Sequence, residues 1–149
     1  MDSRNARVCS REDLERIRLF LLEAGLNTDG IGKMIEQFFV LEDKGGNIHG
    51  ALGIETAGNA GLLRSFAVTK NVDYVDILFF FTFIFSWAKE RGLEQLFLAT
   101  NKGTSADLFS ILGFERETGD DVWSHLSSFD HIKFIETVDN VDIYKKTMG

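Results

Sequence analysis

Three groups of residues in this 149-residue chain have side chains suited to chemistry. Glu55 closes an alternating stretch, Ile48 to Glu55, and its carboxylate could act as a general base. A solvated or core-edge strand glutamate is the competing reading. Arg64 and Ser65 sit on the next alternating stretch, Leu62 to Val68, one facing each side. Arg64 could hold an acidic substrate group, and a pairing with a carboxylate of the fold is its other role. Asp73 and Asp76 open a long apolar run. Acids there either stabilise the positive end of a helix or repel an anionic ligand. His125 and His131 lie near Asp120, Asp121 and Asp130 in a spacing that matches no metal site, so no metal is expected. His49 reads as a solvated hairpin residue.

The composition narrows the classes of partner. A formal net charge of −7 and no basic patch argue against nucleic acid and against an anionic membrane surface. A local pocket for an anion stays compatible with that charge. One cysteine, Cys9, allows no internal disulfide, fits a reducing cytoplasm, and reads as a small buried hydrophobe. Met1 to Ala6 is polar and does not read as a signal peptide. The apolar run Ile77 to Ala88 is shorter than the ~20 residues that a membrane-spanning helix needs.

The elements that must position these residues follow from periodicity and punctuation. Ala6 to Cys9 reads as a strand. Ser10 caps a helix, with Asp13 three residues on and Leu14, Ile17, Leu21 and Leu22 at helical spacing. Gly25 and the Asn27 to Gly30 turn end it. A shorter helix carries Ile31, Met34, Ile35 and Phe38 on one side. Strands are expected at Phe39 to Glu42, Ile48 to Glu55 and Leu62 to Val68, with turns at Asp43 to Asn47 and Gly58 to Gly61. A helix runs from Asp73 to Arg91 and stops at Gly92. Then come a strand, Leu93 to Thr100, a short helix, Ser105 to Leu112, and closing strands at Phe114 to Glu117 and Val141 to Thr147. The whole reads as one α/β (α+β) domain over residues 1–149, a mixed sheet of about six to seven strands flanked by helices. Leu62 to Thr100 forms a right-handed strand–helix–strand crossover in a mostly parallel part of the sheet.

That order, together with three segments, resembles the GNAT N-acetyltransferase superfamily. The segments are Gly53-Ile-Glu55 with Gly61-Leu-Leu-Arg-Ser-Phe-Ala-Val68, then Ala88 to Thr100, then Leu108-Phe-Ser-Ile-Leu-Gly-Phe114. They are similar to the "GLE…GLLRSVAV" strands, the helix-to-strand junction and the "FFERLGF" helix of small bacterial members. The resemblance implies transfer of an acetyl group from acetyl-CoA to a small amine or amino-acid-like substrate. It places the pantetheine arm on the backbone around Phe66, Ala67 and Val68, in a gap where that strand splays from its parallel neighbour. It makes Glu55 the candidate base. It puts Asn101 near the pantetheine region and Phe109 at the position of a proton-donating tyrosine, where phenylalanine has no proton to give.

The resemblance also implies a pyrophosphate loop, Arg/Gln-x-x-Gly-x-Gly/Ala, whose glycines let backbone amides approach the phosphates. The matching stretch is Asp73-Tyr74-Val75-Asp76-Ile77-Leu78, which departs at every motif position and adds two negative charges. The alternatives are a site that keeps CoA with altered geometry, using Lys70 or Lys102 as phosphate partners, and a catalytically inactive GNAT-fold binding or interaction protein. Along the helix, Ile77, Phe80, Phe81, Ile84 and Ala88 make one core stripe, and Phe79, Phe83 and Trp87 lie off it. The expected covers for that second face are the segment Val122 to Ile135, a homodimer contact or an apolar ligand pocket.

Overall fold

The computed structural model describes residues 4–101, 106–117, 129 and 141–148. Seven strands form one mixed sheet, hydrogen-bonded in the order β1-β2-β3-β4-β5-β7-β6, and helices complete an α+β chain. The strands are β1 (Arg4–Val8), β2 (Phe38–Asp43), β3 (Ile48–Ala57), β4 (Ala60–Val68), β5 (Gln95–Asn101), β6 (Glu115–Glu117) and β7 (Val141–Thr147), and the helices α1 (Leu14–Glu23), α2 (Tyr74–Glu90) and α3 (Ala106–Ile111). The chain groups into two compact units, Met1–Ile54 with Ser65–Trp87, and Glu55–Arg64 with Ala88–Gly149.

In the first unit β1, β2 and β3 pair antiparallel. Phe38, Phe39, Val40 and Leu41 of β2 are all buried, because both faces of this strand are covered. Phe38 and Val40 join Ile17 and Leu21 of α1, with Cys9, Ile31, Ile35 and Ala51, in one cluster. Phe39 turns to the other face, where the rings of Phe83 and Trp87 meet it edge-on at 6.2 and 5.1 Å. Phe83 and Trp87, off the core stripe in the sequence, thus find their cover within this unit. Phe79 remains about half exposed. Burial pushes the Cys9 thiol up to about 12.

The structure explains Gly53, the first residue of the Gly-Ile-Glu segment. A Cβ built there would lie 2.7 Å from Cζ of the buried Phe38, so only glycine lets that ring lie against β3.

Asp13 does more than cap. It accepts from the Ser10 N–H at 2.8 Å, from both Nη atoms of Arg7 at 2.9 Å, and from Arg16 at 3.1 Å. Arg7 and Arg16 also reach Glu42 on β2, so β1, β2 and the start of α1 are tied through ion pairs. Hydrogen bonds from Arg7 hold both the Asp13 and the Glu42 carboxyls below the usual carboxylate range. A depressed folded-state pKa gives stability that is complete above the unfolded value, about 4, and is lost as pH falls towards the folded value. Urea melts should therefore show constant stability from pH 7 to 5 and a fall below about pH 4, and Asp13→Asn should flatten that fall. An unchanged acid limb in Asp13→Asn would remove this pair as its cause.

In the second unit β4 and β5 pair parallel over Ala60–Leu63 and Gln95–Leu98. β7 runs antiparallel to both β5 and β6. Leu62, Phe97, Ile143 and Phe129 pack together.

Several expectations need correction. The "mostly parallel" part is limited to the β4–β5 pair among the registers described. The second helix is a 3₁₀ segment, Ile31–Gln37, with a non-helical Met34, and Phe38 begins β2 instead of completing its face. Leu22 is 53% exposed, so the buried face of α1 is carried by Ile17 and Leu21. Ala60 and Gly61 belong to β4, which shortens the turn after β3. No helix among the described residues is long and apolar enough to cross a membrane.

Candidate functional site

β4 carries most of the candidate site, and its backbone is irregular where the candidate residues lie. Ser65 has φ 58°, a left-handed conformation inside a strand. That breaks the simple alternation expected for Arg64 and Ser65. The register with β5 ends at Leu63–Leu98, whereas β4 runs on to Val68. Phe66 packs edge-on against Phe81 of α2 at 5.3 Å. Ala67 packs against the cluster of the first unit, and a Cβ built at Gly50 would lie 3.3 Å from Val68 Cγ1 and 3.7 Å from the Ala67 carbonyl.

Glu55 and Arg64 come together. Arg64 Nη1 lies 4.0 Å from Glu55 Oε1, and both side chains are largely buried. The pairing role expected for Arg64 is thus present, with the candidate base as its partner. A buried cation beside a carboxylate fixes the carboxylate's position and offsets part of its desolvation.

The N-terminus of α2 is built from the loop residues. Asp73 is its cap: the Asp76 N–H donates to Asp73 Oδ1 at 2.9 Å, and the Asp73 N–H points back to Asp76 Oδ2 at 3.4 Å. This is a reciprocal capping box, made here by two aspartates. The Ile77 N–H donates to the Asp73 carbonyl, which starts the helical ladder. Arg4 of β1, a residue that carried no signal in the sequence, adds a 3.1 Å ion pair to Asp76 and donates to the Asn71 carbonyl at 3.3 Å. Tyr74 and Val75 are exposed, Ile77 and Leu78 half-buried. Both earlier readings of the aspartates concern this one helix end, and the capping geometry is explicit. At this helix end the amide of Asp76 is taken by a carboxylate, and Asp76 and Leu78 carry side chains.

Lys70 is exposed in the turn before α2. His49, expected to be solvated, is instead largely buried and bridges that turn to the β2–β3 hairpin. Its Nε2 lies 2.8 Å from Asp43, and its Nδ1 3.2 Å from the Thr69 hydroxyl. That hydrogen bond, with the Asn47 and Gly45 amides, keeps the Asp43 carboxyl below its usual range.

Phe109 is buried on α3, its ring 5.4 Å from Tyr144 and 6.3 Å from Phe114. Asn101 ends β5 by its backbone. Lys102, Ser105, His125, His131 and, apart from Phe129, the segment 122–135 lie outside the described residues. Among the described residues no three His, Cys, Asp or Glu side chains gather as a metal site would require.

The fold as a whole matches known structures. The chain matches N-acetylglutamate synthase from Neisseria gonorrhoeae, complexed with coenzyme A and N-acetyl-glutamate, with a TM-score of 0.76 and 18% identity. The match covers 99% of this chain and 35% of the synthase, so the chain spans about a third of that protein's length. It matches Rv2747 from Mycobacterium tuberculosis, in complex with CoA, with a TM-score of 0.75 and 15% identity over 96% of this chain and 98% of that one. It also matches a GNAT-family acetyltransferase from Staphylococcus aureus with a TM-score of 0.74 and 19% identity over 99% and 100% of the two chains. The fold is therefore that of the GNAT N-acetyltransferases. Within it, the chain belongs to the same family as the uncharacterized protein YwlB of Bacillus subtilis strain 168, with which it is 30% identical over 144 residues, 96% of this chain and 97% of YwlB. No protein-family model matches the sequence.

Proposed function

We propose that this chain is a GNAT-type N-acetyltransferase that moves an acetyl group from a thioester of the coenzyme A type to a small amine or amino-acid-like acceptor. The observation that carries the reading is the course of β4. Its pairing with β5 stops at Leu63–Leu98, Ser65 turns the backbone out of regular strand, and Phe66 to Val68 continue beyond. Backbone groups there are suited to an amide-rich pantetheine arm, whose recognition depends little on side chains. Glu55, held beside Arg64, takes a proton from the acceptor amine as its nitrogen bonds to the thioester carbonyl carbon and the thiolate leaves.

The test is thiol release from acetyl-CoA and from S-acetylpantetheine in the presence of each of the twenty amino acids and a set of polyamines, with the products weighed by mass spectrometry. Amine-dependent release with a matching acetylated product is expected.

A second reading, a catalytically inactive GNAT-fold binding protein, is favoured by one specific feature. The α3 position that would give a proton to the leaving thiolate is Phe109, buried among rings. Absence of transfer to every acceptor, with intact folding, would establish it.

A further inference from the structure

If the chain transfers acetyl groups as proposed above, its donor must be held without the helix end at which a diphosphate would lie. We infer that it recognises the acyl donor through the pantetheine arm alone, so that nucleotide-free pantetheine thioesters are donors as good as acetyl-CoA.

The inference rests on what already occupies the N-terminus of α2. An anion binds a helix end through free amides, the helix dipole and nearby cations. Here several of these resources are already engaged. The Asp76 amide is bonded to Asp73, and the Asp73 amide faces Asp76. The two carboxylates supply the negative charge that the dipole favours. Arg4, largely buried, gives its Nη1 to Asp76 and the Asn71 carbonyl, while its Nε is buried without a partner among the described residues. The amides of Tyr74 and Val75 remain, on residues whose side chains are exposed. Lys70 is exposed, and exposed charges act weakly in salt. A donor that ends at pantetheine gives up nothing at this helix end, and it brings no phosphate to face Asp73.

The experiment compares kcat/KM for acetyl-CoA and S-acetylpantetheine on the full chain, with the amino acid or polyamine that gives the fastest turnover. The two values should agree within about threefold, and Lys70→Ala should leave both unchanged. The Asp73→Arg, Asp76→Gly, Leu78→Gly variant should create a preference for acetyl-CoA of at least about tenfold. A preference of about a hundredfold for acetyl-CoA in the unmodified chain, or a tenfold loss confined to acetyl-CoA in Lys70→Ala, would overturn the inference and leave acetyl transfer standing. If neither donor supports transfer, the reading beneath the inference fails and the inference with it.

Discussion

Glu55→Gln should lower amine-dependent acetyl transfer by about two to four orders of magnitude, the usual worth of a positioned general base. An amine attacks a thioester only as the neutral base, so a group must take its proton as the new bond forms. In the proposed mechanism Glu55 is that group, with Arg64 as its neighbour. β3 presents it at the level of Arg64 on β4, and the guanidinium at 4.0 Å keeps a largely buried carboxylate in one position. Glutamine keeps the shape and one acceptor oxygen and loses the basicity, so the loss should fall on kcat, with the donor's KM unchanged. Thermal melting within a few degrees of the unmodified chain would show that Arg64 has kept its place. A rate within about threefold of the original would remove Glu55 from the mechanism.

The second large effect concerns the loop. Asp73→Arg with Asp76→Gly and Leu78→Gly should strengthen acetyl-CoA binding by at least about tenfold. Two unit charges about 4 Å apart interact by roughly 1 kcal/mol in water and roughly 4 at an effective dielectric of 20, and about 1.4 kcal/mol is tenfold in affinity. The substitutions remove two carboxylates, add a guanidinium, free the amide that Asp73 now holds, and let the backbone approach the phosphates. They also remove the cap, a cost of about 1 kcal/mol to folding, and leave Arg4 without its carboxylate. Isothermal titration reads the gain directly. No change would mean that the arm's own site, and not the helix end, limits binding.

Much of this was legible in the sequence because it is local. The Ser10-x-x-Asp13 pattern read as a helix start, and it is one. The Asp43 to Asn47 turn, the extent of α2 and the late strands follow from periodicity and glycines. Pairing of Arg64 with a carboxylate was one of the two roles its strand position allowed, and the structure names Glu55 as the carboxylate. What the sequence left open depends on long-range partners or on backbone angles. Asp73 and Asp76 could be read as dipole-stabilising or anion-repelling, and only coordinates show each bonded to the other's amide. Arg4 lies 72 residues from Asp76, so no local pattern ties them. The left-handed Ser65 hides in a segment that reads as uninterrupted strand, because serine gives no sign of a positive φ. The Ile31 to Phe38 stretch has helical spacing, yet strand β2 claims Phe38 and the segment before it tightens to 3₁₀.

Calorimetric titration of the full chain with acetyl-CoA tests most directly whether the N-terminus of α2 has ceased to hold a diphosphate. With two carboxylates each weakening a micromolar site by about tenfold, the account predicts a Kd of about 100 µM or weaker. Saturable binding at micromolar Kd would contradict it.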